Sequence, residues 1–164
     1  MGRAERISFE RGDGAELSLN SQITSLFPDL VGTGASETSS RSRLYNCIAW
    51  AAGENDRWWE PNLPSDLGYF WPAQSGGYAV ESLIEAYAAI GYIVCADGIL
   101  ESGYEKIAIY RSATNDWTHA ARQLPSGKWT SKLGVLEDIE HDHPDHLVGN
   151  EYGAVHCYMR RAKD

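Results

Sequence analysis

Hydrophobic and polar positions alternate along this chain with two different periods, and the change of period divides it. Residues 43–53 read RLYNCIAWAAG. Ile48 to Ala52 are apolar on every side, which predicts a short helix wrapped by protein, opened at Asn46–Cys47 and stopped by Gly53. Residues 78–92, YAVESLIEAYAAIGY, place Val80, Leu83, Ile84 and Tyr87 at i, i+3, i+4 and i+7. That spacing predicts an amphipathic helix ending at Gly91. Beyond it the period falls to two. Tyr92 to Ala96 and Glu105 to Tyr110 read as strands, Trp117 to Leu124 and Lys128 to Leu133 as a hairpin around Pro125-Ser126-Gly127, and Tyr152 to Arg160 as a last strand.

Between these elements the chain is loop-like. Residues 1–20 are polar and read as a loosely held arm, followed by the anchors Ile23, Leu26, Phe27 and Leu30. GTGASETSSRS, residues 32–42, reads as a mobile loop. Residues 54–77 carry Pro61, Pro64 and Pro72 among Trp58, Trp59, Tyr69, Phe70 and Trp71. Aromatics this dense either line a cleft or glue a long loop to the core. Helices followed by a run of strands predict an α+β domain. The expected division is a polar arm and loop over 1–43 and a folded domain over 44–164.

Composition narrows the function classes. The 164 residues are 43% hydrophobic and 23% charged, as in an ordinary soluble globular domain. No apolar run is long enough to span a bilayer, so no membrane partner is expected. The net charge of −9, with 14 basic residues that form no long patch, argues against nucleic acid. The N-terminal residues lack a signal peptide's apolar block, which predicts a cytoplasmic protein or one exported without such a peptide. Cys47, Cys95 and Cys157 are an odd, scattered set. They predict free thiols in a reducing compartment rather than a disulfide framework.

One of those thiols has a setting for chemistry. With Asn46 as N-cap, Cys47 is the first helical residue, where free amides favour a thiolate. His119 in DWTHAARQL is the best candidate to shuttle its proton. A third group should orient the imidazole. A two-residue turn pairing Pro125 with Lys128 sets His119 opposite Gly134, puts Thr130 and Lys132 on its face and turns Ser131 away. The first carboxylates beyond are Glu137 and Asp138. Asp138 is favoured as the third residue, with Glu137, Thr130 and His141 as rivals.

A Cys opening a buried helix, then a His on a strand, then a polar residue resembles the papain-like cysteine hydrolases, especially the compact NlpC/P60 and CHAP types. The resemblance implies a papain-like single domain, with a buried N-terminal helix carrying Cys47 packed on an antiparallel sheet. It also implies hydrolysis of peptide or amide bonds through an acyl-enzyme, with a peptide or protein substrate and no cofactor. Here Asn46–Cys47 is followed by Ile-Ala-Trp, where the NlpC/P60 pattern has Ser-Gly. The finer pattern NCIAWA, WWEP, EKIAIY, THAARQL, WTSKLG and DIEH resembles a family of small bacterial proteins without an assigned activity, over roughly residues 44–160.

HDHPDH, residues 141–146, resembles the metal-binding signature of metallo-β-lactamase-fold hydrolases, with His141, His143, Asp145 and His146 as ligands of zinc. In that fold the motif lies early and further ligands follow, whereas here 18 residues remain, with His156 the only later histidine. A polar loop between two strands, with no metal, is the expectation. The alternative to a thiol hydrolase is a non-catalytic protein-interaction module with a cognate protein partner, in which the Trp58–Trp59 loop does the binding.

Overall fold

The computed structural model describes residues 19–74 and 76–164, so all but the last two residues of the arm expected over 1–20 lie outside the described residues. The described residues hold three α-helices: α1 (Ser21–Leu26), α2 (Cys47–Ala51) and α3 (Val80–Ala88). The strands are β1 (Ser36–Ser39), β2 (Trp58–Trp59), β3 (Tyr69–Phe70), β4 (Ile93–Cys95), β5 (Tyr104–Arg111), β6 (Trp117–Gln123), β7 (Trp129–Lys132), β8 (Asp138–His141) and β9 (Ala154–Ala162). Seven of them form one sheet in the order β1-β8-β7-β6-β5-β9-β4, antiparallel at every pairing, and β2 and β3 form a small parallel pair.

This architecture corrects the expectation of a papain-like domain. The molecule is dominated by the seven-stranded sheet, and the helix carrying Cys47 is only five residues long. Gly53 at φ 87° ends the apolar run, and five residues align too few peptide dipoles to act as a macrodipole on the thiol. The segment read as a mobile loop supplies β1, which pairs with β8. Its Ser/Thr-rich sequence has no apolar alternation because an edge strand needs no buried stripe. DIEH, which the periodicity assigns to no element, is β8, sandwiched between β7 and β1.

The sheet separates two cores. On one face α2 and α3 pack with Trp59, Ile107, Ile109, Ala120 and Met159. On the other, the anchors Ile23, Phe27 and Leu30 pack with Ala108, Tyr110, Ala121, Trp129 and Ile139. Strict alternation decides the face: Ile109 pairs with Ala120, and Ala108 with Ala121, on opposite sides of the same two strands.

The entry to β9 is a tight turn in which Gly149 and Gly153 exchange backbone hydrogen bonds of 2.9 and 2.8 Å. Gly153 has φ 76°, and a Cβ there would lie 2.0 Å from the Arg111 carbonyl oxygen. Gly153→Ala therefore meets both a left-handed backbone and fixed main chain, and is expected to cost at least ~2 kcal/mol. A urea midpoint unchanged from wild type would contradict this.

Candidate functional site

Asn46 joins the start of α2 to the tryptophan loop. Its Oδ1 accepts the Ala49 N–H (3.1 Å) and the Trp59 N–H (3.3 Å), while Nδ2 donates to the Trp59 carbonyl (2.8 Å). An N-cap is thereby also a clamp on β2. Cys47 follows at the first helical position, 8% exposed and free of any disulfide. Burial is the largest influence on its thiol and pushes it up to about 11, against the backbone N–H groups of Ala120, Ile48 and Cys47 itself, which point at the sulfur. The depressed thiol expected at a helix start is not what this environment produces.

The Ala120 N–H is available because the ladder between β6 and β7 stops at Arg122↔Thr130. Beyond that pair the two strands no longer bond, and the Cys47 sulfur takes the amide of the residue immediately after His119. The His119 ring faces the side of its register partner Tyr110, is fully buried, and stacks on Tyr152 with centroids 4.1 Å apart and planes at 5°. Tyr152 in turn feels the Cys47 thiol electrostatically. His119 Nε2 bonds to Ser131 Oγ at 3.0 Å, and the buried Nδ1 has no hydrogen-bond partner, so no hydrogen bond links ring and thiol. Burial drives the imidazole well below its ordinary pKa, with the neighbouring His141 adding to the effect.

Asp138 is not the residue that orients His119. Its Oδ2 accepts from Tyr45 Oη at 2.8 Å and from Ser39 Oγ, on the α2 side of the sheet. Lys132 lies on the same side, with Nζ donating to the carbonyls of Ser42 (2.8 Å), Gly134 (2.8 Å) and Leu136 (2.6 Å). Of the rivals, Thr130 accepts Trp50 Nε1 at 3.0 Å and Glu137 pairs with Arg41 at 3.2 Å. The group beside the imidazole is Ser131, and His141 is joined to it at 2.8 Å.

The difference is one residue of register. Leu124, not Pro125, pairs with Lys128, and Gly127 at φ 91° closes a three-residue loop. Every residue of β7 is thereby turned to the opposite face from that expected, bringing Ser131 to His119 and taking Thr130 and Lys132 away. A glycine as the third residue of Pro-Ser-Gly was the signal that distinguishes this loop from a two-residue turn.

The HDHPDH segment does not gather into a metal site. His141 Nε2 is bonded to Ser131 and its Nδ1 to the His143 carbonyl at 3.0 Å, leaving no free lone pair directed at an ion. Among the described residues no group of three or more His, Cys, Asp or Glu is placed to hold one. Nor is the segment wholly a surface loop, since His141 and Pro144 are buried, the latter opening a 3-10 turn that runs on to the buried Leu147. Among the described residues no helix is long and apolar enough to cross a membrane.

The elements that build this arrangement, from β1 through nearly all of β9, coincide with a known family described as Domain of unknown function (DUF7689), which matches residues 36–160. The chain belongs to the DUF7689 family. No curated protein and no solved structure matches it. The DUF7689 match thus takes in Cys47, His119, Ser131, Asp138 and His141 together.

Proposed function

We propose that this DUF7689 chain is a cysteine-dependent hydrolase of peptide or amide bonds, with Cys47 as nucleophile and His119 as its proton carrier. The observation that carries the reading is the contact of the Cys47 sulfur with the amide of Ala120, the residue after His119, together with Tyr152, which feels the thiol and stacks on a His119 ring whose Nε2 is anchored and whose Nδ1 is free. With the thiol held high and the imidazole held low, both rest neutral at neutral pH. The thiol proton passes to the imidazole as sulfur bonds to the carbonyl carbon, and the amides around the sulfur steady the departing charge. The imidazolium then protonates the leaving amine as the C–N bond breaks. Water, deprotonated by the same ring, cleaves the thioester and restores the thiol. Three free cysteines fit residence in a reducing compartment.

The test is covalent labelling at neutral pH with a peptidyl acyloxymethyl ketone, read by intact and peptide mass. A single adduct on Cys47 is expected, absent in Cys47→Ala and formed at least ~10-fold more slowly in His119→Gln. Equal labelling of Cys47 in His119→Gln would refute the assignment.

A second reading, a non-catalytic module, is favoured by an open groove of about 550 Å³ between Leu44, Trp58, Leu67 and Val135. Leu44 and Leu67 are each 70% exposed there. Arg43 at its rim makes no ion pair among the described residues, which suits an apolar segment of a protein partner with an acidic neighbour. On that reading Leu67→Asp removes partner binding, and Cys47→Ala changes nothing.

A further inference from the structure

Two buried histidines bridged by a serine are more than the thiol chemistry requires, and their hydrogen bonds leave one arrangement of protons. His141 Nδ1 lies 3.0 Å from the His143 carbonyl oxygen, which only accepts, so Nδ1 carries the hydrogen. Neutral His141, its pKa lowered to about 4 chiefly by burial, must then have a bare Nε2. Ser131 Oγ, 2.8 Å away, donates its one hydrogen to that nitrogen. The Ser131 oxygen is left as an acceptor toward His119, 3.0 Å distant, so His119 Nε2 carries a hydrogen and donates it. The unpartnered, buried Nδ1 of His119 is the nitrogen with the lone pair.

We infer that the His143 carbonyl, His141 and Ser131 form a buried relay that locks His119 in the tautomer whose Nδ1 is the base, making Ser131 and His141 positioning residues for the Cys47 thiol. All three side chains lie in the interior, at 0%, 0% and 1% exposure, so water does not compete for the bonds. The stack on Tyr152 and the edge contact with Tyr110 hold the ring plane. When Nδ1 accepts the thiol proton, His119 becomes an imidazolium with Nε2–H still donating to Ser131. Shifting that hydrogen to Ser131 Oγ, and the hydroxyl hydrogen to His141 Nε2, moves the positive charge to His141 without breaking a heavy-atom bond. The carbonyl of His143 faces the Nδ1–H of that ring and favours the charged form.

The positioning role rests on the hydrolase reading, whereas the tautomers do not, so the experiment separates them. Long-range 1H–15N spectra of histidine-labelled full-length protein at neutral pH report which nitrogen of each ring is protonated. His119 is expected with bare Nδ1 and protonated Nε2, and His141 with the reverse. The opposite tautomer at His119, or rapid exchange between the two, overturns the relay. In Ser131→Ala, His119 is expected to become a tautomer mixture, with ketone labelling of Cys47 slowed about 10-fold. His141→Gln, whose amide oxygen can accept from Ser131, is expected to keep the wild-type tautomer at His119 and to label within about 2-fold of wild type. Wild-type tautomers as stated, with a Cys47 that labels equally fast in Ser131→Ala, overturn the positioning role alone. A Cys47 that never labels sinks the hydrolase reading and leaves the tautomer lock standing.

Discussion

Lys132→Met is expected to destabilise the protein by about 3–5 kcal/mol. Lys132 is fully buried, yet its ammonium gives all three hydrogens to carbonyls, those of Ser42, Gly134 and Leu136. It lies 5.1 Å from the Tyr45 ring centroid, and the neighbouring Asp138 carboxylate, bonded by Tyr45, favours its charged form. A thioether of similar shape fills the space but takes the donor from three carbonyls and leaves the buried Asp138 carboxylate without its cation. Burial pulls the ammonium below its ordinary pKa, and Asp138 opposes that pull. Urea denaturation should show the midpoint falling with an unchanged slope. A loss below about 1 kcal/mol would mean that the carbonyls find other donors. Asp138→Asn in the Lys132→Met background should cost less than in wild type, because the cation that the carboxylate favours is then already gone and the change removes an orphaned charge.

Acid is expected to unfold the chain through the two histidines of the relay. Both are depressed bases: His141 falls to about 4, and His119 lies well below its ordinary value. Between those values and the ordinary 6.5 the unfolded chain binds protons that the folded chain refuses. Stability therefore rises with pH over this window, is fully present above about 6.5, and is lost as pH falls toward 4. For His141 alone the shift corresponds to about 3 kcal/mol. Around His119 the facing groups are Tyr110, Tyr152, Ser131 and His141, none of them a carboxylate. His141 also feels Asp142, His143 and His146. Asp142 favours the charged ring and the two histidines oppose it, but burial outweighs all three. Chemical denaturation at pH 7 and pH 5 should show the loss, and His141→Gln should reduce it. A flat profile between these pH values would show that the rings stay hydrated.

Legibility along the chain followed the periodicity. Val80, Leu83 and Tyr87 are buried as their helical spacing requires, and α3 ends at Ala88, shortly before Gly91 at φ 102°. The strands expected over Glu105–Tyr110 and Trp117–Leu124 are β5 and β6 to within a residue at either end. Four strands escaped: the short pair β2 and β3 inside the proline-rich loop, and β1 and β8 of the large sheet. SETS is polar because only one edge of β1 is bonded, and DIEH hides its two apolar-side positions, Ile139 and the buried His141, behind three charged or titratable letters. Of the candidate residues, Cys47 contacts the amide that follows His119 on β6, while the expected neighbours of His119 on β7 were misplaced by a turn one residue longer than assumed.

By itself the sequence determined the two helices and five strands with a clear period, α2, α3, β4, β5, β6, β7 and β9, because burial on one side imposes a period on an element that has a buried stripe. It also determined the absence of a long apolar span and the scattering of its cysteines. Tertiary structure alone decided the face on which each side chain lies, since a single residue of register reverses every position on a strand. It set Ser131 against His119 and Lys132 against Asp138, and it turned a thiol expected to be acidic into one pushed up to about 11 by burial. Pairing and burial are long-range quantities, fixed by contacts among β1, β7 and β8 and by the short helix packed against β6, none of which a local pattern encodes.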